Sequence, residues 1–200
     1  AHSFEIGQDN VISIGTQAFT FCANLETVTI PMNTKTGSSS AFYGCDNLRQ
    51  ISVDPDNKYL SSDEYGVLYD KGKTRVIKYP EGNTRTTYTL PQSVTTIGAH
   101  AFSCCCNLVT VNLNNGIKSI EYRAFWGCYD LENITLPDSV VSIGAQAFCF
   151  CPFTTIVIPN SVITIEDDAF IESGLMNIVL PNNITSLGQS SFKSCTKLSS

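Results

Sequence analysis

The chain has 200 residues, 42% hydrophobic and 15% charged, with a formal net charge of −6. No apolar run reaches the roughly 20 residues that a membrane-spanning helix needs, so this segment is not expected to insert into a bilayer. The basic residues are scattered, the densest stretch running from Lys71 to Lys78. A phosphate backbone demands clustered cations, so nucleic acid is excluded as a partner.

The chain begins without an initiator Met or a secretory leader, and reads as a piece of a longer protein. From there one repeat dominates. Ala-Phe occurs at Ala18-Phe19, Ala41-Phe42, Ala101-Phe102, Ala124-Phe125, Ala147-Phe148 and Ala169-Phe170, with Ser191-Phe192 as a weaker seventh copy. Successive Phe residues are 23 or 22 residues apart, except for a step of 60 between Phe42 and Phe102. Eight residues before the Phe stand Val11, Val94, Ile117, Val140, Val162 and Ile184, and five before it Ile14, Ile97, Ile120, Ile143, Ile165 and Leu187. Three residues after it stands Cys in six of seven copies: Cys22, Cys45, Cys105, Cys128, Cys151 and Cys195, with Ser173 in the other. The repeats run at about 8–31, 32–53, 91–113, 114–136, 137–158, 159–180 and 181–200. In the second, Thr34 and Gly37 stand where Val and Ile are expected, which predicts a looser stretch over residues 33–40.

A unit this short cannot bury its own apolar residues, because ordering its backbone costs ~1–2 kcal/mol per residue. Stacked units place equivalent residues over one another and form one continuous core. Period-two stretches such as 132–136 read as short strands. Pro31, Pro137, Pro159 and Pro181 follow them and end the ladder, lacking an N–H. Ala-Phe falls on a tight turn or short 3-10 piece. Between the second and third repeats, residues 54–89 carry two strand-like runs, 65–69 and 75–79, around the turn Asp70-Lys71-Gly72-Lys73. This inserted hairpin serves either as a spacer that covers the core or as a protruding binding element. The expected fold is a single domain, a right-handed β-rich superhelix with one short parallel strand per repeat.

The segment Leu131-x-x-Ile134-x-Leu136 resembles the core of leucine-rich repeats. The fuller pattern Pro137-x-x-Val140-x-x-Ile143-Gly144-x-x-Ala147-Phe148-x-x-Cys151 is similar to the BspA-like subfamily. The resemblance implies a leucine-rich repeat solenoid on the surface of a mucosal bacterium or protist, binding host or neighbouring-cell macromolecules. The Cys column looks more like the protist branch. A second reading is an intracellular interaction scaffold.

The cysteines invite a metal or disulfide reading. Paired Cys/His knuckles are lacking, and His2 and His100 have no companions at ligand spacing, so no metal or cofactor is expected. The favoured reading of the Cys column is a stack of small, apolar, free thiols. Cys104, Cys106 and Cys149 lie outside it and are either free or bridged. No nucleophile elbow, metalloprotease motif, P-loop or dinucleotide fingerprint occurs, so the chain reads as non-enzymatic. Sequons occur at Asn133 and Asn183.

Side chains alternate along a strand. If Val28 and Ile30 face the core, the outward ladder is Thr27, Thr29, Gln50, Ser52, Thr110, Asn112, Asn133, Thr135, Thr155, Val157, Asn177 and Val179. This face is the candidate site for a protein or glycan ligand; the plainer reading is a solvated sheet of β-favouring residues. The last repeat stops without a polar cap, so the ends are a candidate surface for self-association.

Overall fold

A computed structural model describes residues 2–7 and 10–199. The expected starts and ends of the outermost repeats, residues 8 and 200, lie outside this range. The chain winds as a β-solenoid. The expected strand forms in successive coils as far as Asn133–Ile134 and is reduced to a single bridge, Thr155–Asn177, in the next two. Most coils add a second strand, of only two residues, that sequence periodicity did not reveal.

The two-residue strands make the larger ladder. Ser186–Leu187, Thr164–Ile165, Ser142–Ile143, Ser119–Ile120 and Thr96–Ile97 pair in parallel in that order. The apolar column five residues before each Phe points from these strands into the core, except at the end of the ladder, where Leu187 is exposed. Ile97, Ile120, Ile143 and Ile165 are all buried. The longer strands form two further sheets. Ser3–Glu5, Thr27–Ile30 and Gln50–Val53 make one, and Thr87–Thr89, Thr110–Asn112 and Asn133–Ile134 the other.

Between the strands runs a turn whose shape repeats from coil to coil. Except at Ser40, which lies in the 3-10 turn Ser39–Phe42, residues two before and two after the Phe have positive φ whatever their type: His100 and Cys104 at 57° and 59°, Gln146 and Phe150 at 56° and 63°. This left-handed region costs an ordinary residue roughly 1–2 kcal/mol. It is held by hydrogen bonds to the next coil. Arg123, Phe125 and Gly127 donate N–H to the carbonyls of Ala145, Ala147 and Cys149 at 2.8–3.0 Å.

The Phe side chains meet in one spine. Ring centroids are 4.9 Å apart for Phe102–Phe125, 5.3 Å for Phe125–Phe148 and 5.4 Å for both Phe148–Phe170 and Phe170–Phe192, with planes within 14° of parallel. Ala41, Ala101, Ala124, Ala147 and Ala169, each before its Phe, are fully buried, as close approach of the coils requires, whereas Ala18 in the first coil is exposed.

The inserted segment forms the expected hairpin, Leu68–Asp70 against Arg75–Lys78, and it also conceals a coil. Arg75–Lys78 joins the larger ladder, pairing Arg75 with Thr96 and Val76 with Ile97. Tyr79 donates its N–H to the Ala101 carbonyl at 2.7 Å and stacks on Phe102 at 5.3 Å. It therefore occupies the Phe column, and Lys78 the Ala column. The coil is shortened by two residues, since Val76 precedes Tyr79 by three where Ile97 precedes Phe102 by five. At this seam the buried apolar residues divide into two clusters, one from Ile6 to Leu68 and one from Val67 to Leu175. The stretch over residues 33–40, expected to be loose, is held in the fold. Thr36–Gly37 pairs with Ser13–Ile14, and the buried Thr34 hydroxyl donates to the Val11 carbonyl at 2.8 Å.

Candidate functional site

All twelve residues of the predicted outward ladder are exposed or half-buried. Their register places them in rows. Thr27 lies opposite Gln50 and Thr29 opposite Ser52; Thr110 lies opposite Asn133 and Thr155 opposite Asn177. The rows are not continuous. Between Gln50–Val53 and Thr87–Thr89 the rung is filled by the inserted segment, where Ile51 donates its N–H to the Gly66 carbonyl at 3.0 Å. There the Arg85 guanidinium lies 3.8 Å from the Tyr65 ring centre.

The second group includes two residues that sequence reasoning missed. Thr87 pairs with Thr110 and Thr89 with Asn112, and the Asn112 amide donates to the Thr89 hydroxyl at 3.0 Å. The signal was present, because Thr87-Tyr88-Thr89-Leu90-Pro91 repeats the form of Thr27-Val28-Thr29-Ile30-Pro31.

The face changes character along the axis. Around Thr110, Asn112, Asn133 and Thr135 a shallow groove presents hydroxyls and amides. Further along, Val157 and Val179 are 79% and 81% exposed and share a groove of about 490 Å³ with Thr155 and Asn177. A hydrogen-bonding half thus adjoins an apolar half. The polar half rests on a hydrogen-bonded ladder, which keeps the entropy lost on binding small, while the strand segments of the apolar half are joined by the single bridge Thr155–Asn177. Nothing on this face is a nucleophile–base pair. Among the described residues no three His, Cys, Asp or Glu side chains gather to hold a metal ion, and no helix is long and apolar enough to cross a membrane.

The column cysteines act locally. Cys45, Cys128, Cys151 and Cys195 donate their thiols to the carbonyls of Phe19, Phe102, Phe125 and Phe170 in the preceding coil at 3.0–3.2 Å. Burial pushes the Cys45 thiol up to about 11 and raises Cys105, Cys128 and Cys151 well above the ordinary thiol value. Cys22 breaks the expectation of uniform enclosure. It is exposed and has no preceding Phe carbonyl among the described residues to receive its thiol. Of the others, Cys149 is buried, Cys104 half-buried and Cys106 exposed. Burial raises Cys104 and Cys149 to about 11. Because the thiolate is the reactive form, alkylation of the native protein at neutral pH should modify Cys22 and Cys106 first. Cys105, Cys128 and Cys151 should react only after denaturant is added. Mass spectrometry of the labelled peptides checks this, and rapid native labelling of Cys128 would contradict it.

The family profile described as "BspA type Leucine rich repeat region" matches in six copies, over residues 2–87 and 78–199. No curated protein matches the chain in sequence. Solved structures resemble it closely. A leucine rich cell surface protein of Faecalibacterium prausnitzii A2-165 superposes with a TM-score of 0.84 at 25% identity, over 99% of this chain and 58% of that one. The pneumococcal vaccine antigen PcpA gives 0.79 at 24% identity, over 97% of this chain and 55% of that one. A leucine rich repeat protein of T. pallidum gives 0.53 at 23%, over 98% and 78%. The chain therefore spans little more than half the length of the first two.

Proposed function

Because the chain belongs to the BspA-type leucine-rich repeat family, we propose that it is a non-enzymatic module displayed on a cell surface or secreted, which mediates adhesion. It does so by binding a protein or glycan of a host or neighbouring cell through the exposed face of the longer strands. The observation that carries this reading is the placement of Val157 and Val179. Two β-branched apolar side chains lie nearly bare in one groove, beside a row of hydroxyls and amides with no core function. A contiguous apolar patch rimmed by polar groups is the usual mark of an interaction surface, and polar neighbours supply its orientation and specificity. The surface location is supported by the F. prausnitzii structure, which is described as a cell surface protein.

The test substitutes Thr110, Asn112, Asn133 and Thr135 together with Lys. These side chains face solvent, so the variant should keep its circular dichroism spectrum and unfolding midpoint. Adherence of the labelled protein to epithelial monolayers should fall at least about tenfold, equivalent to ~1.4 kcal/mol. A folded variant that adheres as well as the parent would reject this face as the site.

A further inference from the structure

The turns that join the two strands of each coil carry another surface, built on the left-handed position two residues after the spine. Phe21 and Phe150 occupy it at φ 60° and 63°, while Gly44 and Gly127 occupy it in adjoining coils at 71° and 68°. At Gly44 the missing side chain has a steric reason. A Cβ on Gly44 would lie 2.4 Å from Cδ1 of Phe21, so the bare backbone of one coil is the bed for the ring of its neighbour. From there the rings form a chain along the solenoid. Centroids are 5.6 Å apart for Phe21–Tyr43, 6.2 Å for Tyr43–Trp126, 5.7 Å for Trp126–Phe150 and 6.4 Å for Phe150–Tyr129. Phe21 is 72% and Tyr129 55% exposed. The Arg123 guanidinium lies 5.6 Å from the Trp126 ring centre and helps to fix its orientation.

At one end the ridge opens into a groove of about 630 Å³ in which Tyr129 and Phe150 face Glu172, Ser194 and Lys197. Glu172 and Lys197 are exposed and take no part in the ion pairs among the described residues. Aromatic faces, a carboxylate, an ammonium and a hydroxyl thus share one open cleft on a surface that the sheet face does not include.

We propose that this turn-face cleft binds a neutral hexose glycan. A pyranose ring presents a flat patch of C–H bonds, which packs on aromatic faces, and a rim of hydroxyls, each of which both donates and accepts. The cleft supplies each element: rings for the faces, the Glu172 carboxylate as acceptor and the Lys197 ammonium as donor. One positive and one negative charge suit an uncharged polar ligand and offer a polyanion no net attraction.

The molecule carries its own reporter, since Trp126 is the sole tryptophan. Cellohexaose, mannohexaose, maltohexaose and chitohexaose should each be titrated against the protein while its fluorescence is followed. At least one should give a saturable change in the micromolar to millimolar range that salt does not weaken, since no net charge is involved. Phe150→Asn, which tolerates the left-handed backbone, and Tyr129→Ser should each weaken that binding about tenfold or more. Their unfolding midpoints show whether they remain folded. The four-lysine variant of the sheet face should bind the same sugar unchanged, which separates this cleft from the adhesive face. The proposal is overturned if no sugar produces a saturable change, if binding survives both cleft substitutions in folded protein, or if salt abolishes it.

Discussion

Phe125→Ala should lower the stability of the chain by about 3–5 kcal/mol, the range for truncating a buried aromatic. Phe125 is fully buried and stacked on both faces, 4.9 Å from Phe102 and 5.3 Å from Phe148. Its removal opens a cavity and also deletes two ring contacts, each worth about 0.5–1.5 kcal/mol beyond area burial. Phe192 gives the control. It is half-buried and stacks on Phe170 at 5.4 Å, so Phe192→Ala should cost roughly half as much. Urea unfolding followed by circular dichroism measures both. Equal losses at the two positions would show that neither the burial of the ring nor its stacking between two coils sets the cost.

Glu81→Leu should be destabilising on a similar scale, about 3–5 kcal/mol, because it strands a charge. Lys78 and Glu81 form an ion pair at 2.7 Å with side chains 0% and 1% exposed. Burial alone would lower the Lys78 ammonium, but the attraction and hydrogen bond of the Glu81 carboxylate outweigh it and hold it above its ordinary value. The second Glu81 oxygen has no partner, so the pair is incompletely satisfied and is not the best occupant of its site. Hence Lys78→Met combined with Glu81→Leu should recover most of the loss and leave the protein near parental stability. A double variant as unstable as Glu81→Leu alone would mean that the pair is needed to shape the shortened coil.

The spine and the outward ladder were legible in the sequence because each is a column sampled repeatedly. A single Phe says little, but Phe102, Phe125 and Phe148 with the same neighbours at the same offsets admit one packing. The concealed coil was not legible, because it keeps the geometry and changes the letters. Tyr79 stands for Phe, Lys78 for Ala, and two residues are missing between Val76 and Tyr79. The two-residue strands, such as Ser119–Ile120, are too short to show a period. The left-handed positions two before the Phe carry Gln, His, Arg, Asp or Ser, and those two after it carry Gly only at Gly44 and Gly127, so glycine does not mark the turn. They are set by hydrogen bonds to the next coil, which no local preference records. The aromatic ridge was hidden for a related reason. Phe21, Tyr43, Trp126 and Phe150 come from two different columns, and only the winding brings them side by side.

The direction of those turn hydrogen bonds bears on how the molecule is made. Because Arg123, Phe125 and Gly127 all donate forward, to carbonyls of the coil that follows, the awkward bend in each coil is relieved only by residues translated after it. A coil leaving the ribosome is therefore unfinished until its successor emerges. The growing end must wait one full winding behind synthesis, with the newest aromatic ring bare on one side throughout.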